Sequence, residues 1–63
     1  MLPQDAYINE KQAHATTGLA LSTLRNNRWL GRGIPFYKIG KAVRYKLSDV
    51  LNYMERHRIE TEG

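Results

Sequence analysis

Apolar and polar positions along this 63-residue chain change their period twice, and the changes divide it into elements. Residues 1–7 show no periodicity and read as a short tail. Asn9 is a good helix cap, and Gln12, three residues on, can reach back to complete a capping box. Ile8 and Ala13 take the staple positions around that cap, and Gly18 supplies a left-handed stop. The first helix is therefore expected over about Glu10 to Thr17, two turns with a poor inward face. A second helix follows within three or four residues of Gly18, capped by Ala20 or by the chemically better Ser22. Leu21 and Leu24 share its inner face, while Arg25, Asn26, Asn27 and Arg28 look outward or sideways. Gly31 and Gly33 end it. Two short helices joined by a glycine-containing turn form a helix-turn-helix corner.

From Pro35 the period becomes two. Phe36, Tyr37, Lys38 and Ile39, then Val43, Arg44, Tyr45 and Lys46, read as a β-hairpin around Gly40, Lys41 and Ala42. A two-residue loop at Gly40 and Lys41 would pair Ile39 with Ala42 and put Val43 and Tyr45 on the face opposite Tyr37 and Ile39. A three-residue loop pairs Ile39 with Val43 and Tyr37 with Tyr45 on one face, with Lys38, Arg44 and Lys46 on the other. Register follows the buried face, so the three-residue loop is expected. In the last helix Ser48 is the expected cap, and Asp49 sits in the first turn, where the dipole favours a carboxylate. Leu47, Val50, Leu51 and Met54 then fall at i, i+3, i+4 and i+7, with Tyr53 beside them. This stripe should lie under the apolar face of the hairpin. The helix should end near His57 to Ile59, with residues 60–63 frayed. The expected fold class is α+β, mainly α: a winged helix-turn-helix of helix, turn, helix, β-hairpin wing and helix. It forms one domain over residues 1–63, with an ordered core of about 7–58.

Composition narrows the function. The absence of cysteine excludes a disulfide scaffold and cysteine-ligated metal sites. No stretch approaches the roughly 18 apolar residues of a membrane span, and the opening Met-Leu-Pro-Gln-Asp lacks the features of a signal peptide. A cytoplasmic protein is expected. A chain this short buries only about 60% of its unfolded surface, too little to wall a catalytic pocket, so no enzyme is expected.

The net charge of +4 is unevenly spread. Residues 25–46 hold Arg25, Arg28, Arg32, Lys38, Lys41, Arg44 and Lys46 with no acid, and the segments on either side are mildly acidic. Such a patch concentrates a polyanion and supplies phosphate contacts; its alternative is a solvated face kept soluble by repulsion.

With these elements in place, the chain resembles the small excisionase-like, AlpA-like proteins that share a MerR-type DNA-binding head. The resemblance runs from about Tyr7 to Met54. It rests on Thr23 and Leu24, Arg28, Gly31 and Gly33, on Lys38-Ile39-Gly40 and Val43-Arg44-Tyr45, and on Ser48-Asp49-Val50. The chain departs from the family pattern at Ala20, where relatives usually place Ser, and at Thr16 and Thr17, where they place Leu pairs. It departs again at Asn27, often an aromatic position, with Trp29 two residues later. The resemblance implies sequence-specific binding of double-stranded DNA by a phage or mobile-element excisionase or small transcriptional regulator. An integrase, or further copies of the chain on the DNA, would be its partners.

In such a protein the second helix enters the major groove, and Ser22, Arg25 and Asn26 lie on its exposed side. Arg bonds guanine, and Asn bonds adenine, through two parallel contacts. Arg28, four residues after Leu24, can pack its stem inward and reach a phosphate or a helix C-terminus. Lys41 at the wing tip, with Lys38 and Arg44 on its outer face, can grip the backbone; the same charges also protect a sheet edge. Trp29, Phe36, Tyr37, Tyr45 and Tyr53 are expected chiefly as core, although aromatics among basic residues also stack on single-stranded nucleic acid. His14 and His57 alone do not make a metal site. No cofactor, small-molecule ligand or membrane is expected. The reading from another class is a protein-interaction module that partners a recombinase or regulator through its aromatic surface.

Overall fold

The computed structural model describes residues 3–59. These residues form an α+β fold of three helices and one three-stranded antiparallel sheet: β1 (Tyr7–Ile8), α1 (Glu10–Thr17), α2 (Leu21–Trp29), β2 (Tyr37–Ile39), β3 (Ala42–Lys46) and α3 (Leu47–Arg56). The strand order is β1-β3-β2. No helix among the described residues is long and apolar enough to cross a membrane. The expectation for residues 60–63 lies outside the described residues.

α1 forms where the capping box places it. The Asn9 side chain accepts from the Gln12 amide at 2.8 Å, and the Gln12 side chain accepts from the Asn9 amide at 2.9 Å. Gly18 ends it at φ 77°, its N–H donating to the His14 carbonyl. Thr17, standing where a leucine would add apolar surface, ties the corner instead. Its hydroxyl donates to the Ala13 carbonyl and accepts from the Leu19 amide. His14 Nδ1 donates to the Leu19 carbonyl at 2.6 Å, so the turn into α2 is pinned from both sides. α2 starts at Leu21 with Ala20 as cap and no side-chain bond, and Ser22 is already inside the helix. The corner's own hydrogen bonds fix the chain's entry, and a serine two residues past the cap cannot move it.

Residues 3–7 are not simply a tail. Tyr7 and Ile8 pair with Lys46 and Tyr45, adding a strand at the free edge of β3. The segment before them also caps α3. The Leu47 amide donates to the Ala6 carbonyl at 2.9 Å, and the Ser48 amide to the Gln4 carbonyl at 2.7 Å. These are first-turn donors with no partner inside the helix. With backbone carbonyls serving them, Lys46 takes the cap position and Ser48 is not needed there.

The hairpin register corrects the expectation. Tyr37 pairs with Arg44, Lys38 with Val43 and Ile39 with Ala42, so the loop is the two residues Gly40 and Lys41. Gly40 has φ 61°, whereas Lys41, like the other non-glycine residues among those described, has no positive φ. Glycine first, then a residue with negative φ, is the chemistry of a II′ hairpin turn. A three-residue loop would want its glycine last, where this chain has Ala42. Turn chemistry therefore overrode the grouping of apolar residues.

The core consists of Ile8, Ala13, Leu24, Ile34, Tyr45 and Val50, with Leu19, Leu21, Val43, Leu47 and Tyr53 packed against it. Ile8 from β1 and Ile34 from the connection before β2 fill space that Tyr37 and Ile39 were expected to fill. The stripe on α3 is accordingly rolled: Leu47, Val50 and Tyr53 face inward, while Leu51 and Met54 lie at the exposed margin.

Candidate functional site

Four of the seven expected site residues line one cleft between the helical corner and the hairpin. Arg25 and Arg28 come from α2, Lys41 and Arg44 from the hairpin, and Asn9 and Glu10 close its end at the start of α1. Arg25 and Arg28 are three apart and so share a flank of the helix. Ser22 and Asn26 are exposed on α2, clear of the cleft lining, and Lys38 is exposed on β2.

The two arginines differ in their settings. Arg25 holds Glu10 in a two-pronged pair, Nη2 to Oε1 at 2.6 Å and Nε to Oε2 at 3.2 Å, with 58% of its own side chain still exposed. Arg28 is 16% exposed. Its Nη1 donates to the Tyr45 hydroxyl at 2.6 Å and its Nη2 to Glu10 Oε2 at 3.3 Å. Its guanidinium also lies about 6 Å from the ring centroids of Phe36 and Tyr45, at 5.9 and 6.0 Å. That is a cation–π setting, with the aliphatic stem packed inward. Arg28 therefore satisfies the one polar atom of the largest fully buried side chain. Its place on the inward flank of α2, foreseen from the Leu24 spacing, serves the core as well as the cleft.

Glu10 was not singled out by the sequence, where it reads only as an acid in a first helical turn. Hydrogen bonding from Arg25 holds its carboxyl below the usual carboxylate range, against the opposing effect of burial, and the charge of Arg25 and contacts from Arg28 add to the lowering. The same bond raises the pKa of Arg25. Nothing in residue spacing links position 10 to positions 25 and 28; only the close approach of α1 and α2 does. One carboxylate against four cations leaves the cleft positive.

The outer face of the hairpin differs from its expected form. The Arg44 Nη1 donates to the neighbouring Val43 carbonyl at 2.8 Å. Tyr37 and Ile39 share Arg44's face through their pairing, whereas Lys38 sits opposite Val43. Tyr7 packs edge-on to Tyr37, their centroids 5.2 Å apart. Trp29, expected in the core, is 86% exposed. Phe36 is 40% exposed, and only Tyr45 and Tyr53 of the five aromatics singled out by the sequence join the core or pack on it.

Chemically, the cleft offers guanidinium forks and an ammonium to an oxyanion, beside a helix that exposes a hydroxyl and an amide. Among the described residues no group of three or more His, Cys, Asp or Glu side chains could hold a metal ion. No protein-family model matches the chain, and no curated protein matches it.

Proposed function

We propose that this chain binds double-stranded DNA as a small winged helix-turn-helix protein of the cytoplasm, acting by binding rather than by catalysis. In this reading α1 and α2 form the helix-turn-helix, the β2–β3 hairpin is the wing, and α2 enters the major groove. Ser22, Arg25 and Asn26 meet base edges, while Lys38, Lys41 and Arg44 meet phosphates. The observation that carries the reading is the cleft in which Arg25 and Arg28 of one helix meet Lys41 and Arg44 of the hairpin. Through the resemblance stated above, the proposal extends to excision or transcriptional control in a phage or mobile element, with an integrase or further copies of the chain as partners.

The test is a titration of duplex DNA over a series of salt concentrations. With about four to six phosphates held, the logarithm of affinity should fall against the logarithm of salt with a slope of roughly −4 to −5. A slope near zero overturns the reading. Asn26→Ala should lose about 1–3 kcal/mol on the preferred site and little on random sequence, and Lys41→Ala should weaken both alike.

A second reading has its own observation: Trp29 stands 86% exposed, and Tyr7 and Tyr37 form an exposed pair. These are aromatic anchors of the kind that concentrate binding energy in protein interfaces, and a recombinase or regulator would be the partner. Such binding would show little salt dependence and would be lost in Trp29→Ala.

A further inference from the structure

A second basic cleft lies on the far flank of α2. Arg32 from the turn after α2 and Arg56 and His57 from the end of α3 line it together with Asn27, Gly33 and Tyr53. Its geometry is built. Beyond α2 the Arg32 amide donates to the Asn27 carbonyl at 2.9 Å and the Gly31 amide to the Arg28 carbonyl at 3.1 Å, the paired bonds of a Schellman ending. This ending ties the backbone of Arg32 to the last turn of the helix. Gly33 follows at φ 92°, and a Cβ there would stand 2.9 Å from the Asn27 Cβ, so only glycine lets the chain pass this closely. On the opposite wall the His57 Nδ1 donates to the Tyr53 carbonyl at 2.7 Å, and the two rings stack with centroids 4.1 Å apart. Neither Arg32 nor Arg56 has an acidic partner among the described residues. Two guanidinium groups that form no ion pair among the described residues, brought to one concavity by two different elements although Asp49 and Glu55 line the next cavity beside Arg56, are suited to a phosphate oxyanion.

Position adds the second argument. Asn27 is two residues past Arg25, about 200° around the helix. The exposed stripe of Ser22 and Asn26 thus runs between two basic clefts, one with Arg25 and the hairpin, the other with Arg32 and α3. We infer that Arg32 and Arg56 form a second phosphate-binding site. On the DNA reading proposed above, on which this role rests, it holds the strand across the groove from the one gripped by the hairpin.

The experiment compares the full chain with an Arg32→Ala/Arg56→Ala variant in the same salt-series titration, with Lys11→Ala as a remote charge control and thermal melts to verify folding. The double variant should show a slope less steep by roughly one to two units, while the control keeps the parent's slope. An unchanged slope in the double variant overturns the inference. If the parent itself binds no duplex, the DNA reading falls, and the site is decided by titrating inorganic phosphate into the parent and following the Arg Nε resonances by NMR. Shifts at Arg32 and Arg56 sustain the phosphate site, and their absence overturns it.

Discussion

The two faces of the sheet carry similar side chains and have opposite fates. On the inner face Ile8 and Tyr45 are each 1% exposed, and Val43 packs beside them. On the outer face Tyr7, Tyr37 and Ile39 are 55, 42 and 65% exposed, among Arg44 and Lys46. Apolar content alone does not choose which face is buried. Helices cover one side only, and a strand's pleat then commits every second residue to that side. For β2 the choice was made at the turn, where Gly40 set a two-residue loop, sending Tyr37 and Ile39 outward.

The largest expected effect tests that contrast directly. Tyr45→Ala should cost about 3–5 kcal/mol, close to the whole stability of a domain this small, whereas Tyr37→Ala should cost less than about 1 kcal/mol. Chemical unfolding followed by circular dichroism reads both. Equal losses would mean that the outer face is covered in solution.

Gly40→Ala comes next. A Cβ there meets nothing within 4 Å, so its cost is backbone strain alone, about 1–2 kcal/mol by the same unfolding measurement. No loss of stability would show that the loop does not need the left-handed residue and that the register is free to shift.

Tyr45→Phe sharpens the comparison by separating packing from hydrogen bonding. It keeps the buried ring and removes only the acceptor of Arg28, for a loss of about 1 kcal/mol. A loss as large as that of Tyr45→Ala would show that the inner face depends on the Arg28 bond more than on apolar burial.

The smallest effect is confined to acid. Glu10 has a lowered pKa in the folded chain, so the unfolded chain binds its proton at the higher pH. Its contribution is complete above the ordinary carboxylate pKa of about 4.3 and is lost as pH falls through the lowered folded value. Glu10→Gln should therefore show a melting temperature that declines less steeply than the parent's through that window. Parallel acid limbs would mean that the Glu10–Arg25 pair contributes nothing in solution, as exposed pairs often do.

Local chemistry was legible where it was closed within a few residues. The cap at Asn9 with Gln12, the left-handed end at Gly18, the inward Leu24 and the presence of the last helix, though not the roll of its apolar stripe, each depend on contacts of short span, and sequence alone settled them. The run of seven cations between Arg25 and Lys46 was equally plain. What only the tertiary structure decided involves partners far apart in the chain. β1 exists because β3 offers Tyr7 and Ile8 an edge, and α3 starts at Leu47 because the Gln4 and Ala6 carbonyls serve its first amides. Glu10 joins Arg25 and Arg28 because α1 and α2 approach one another, and Arg32 and Arg56 line one cleft because the turn after α2 comes near the end of α3. No periodicity encodes such meetings; they follow from how elements pack, and packing is a property of the whole chain.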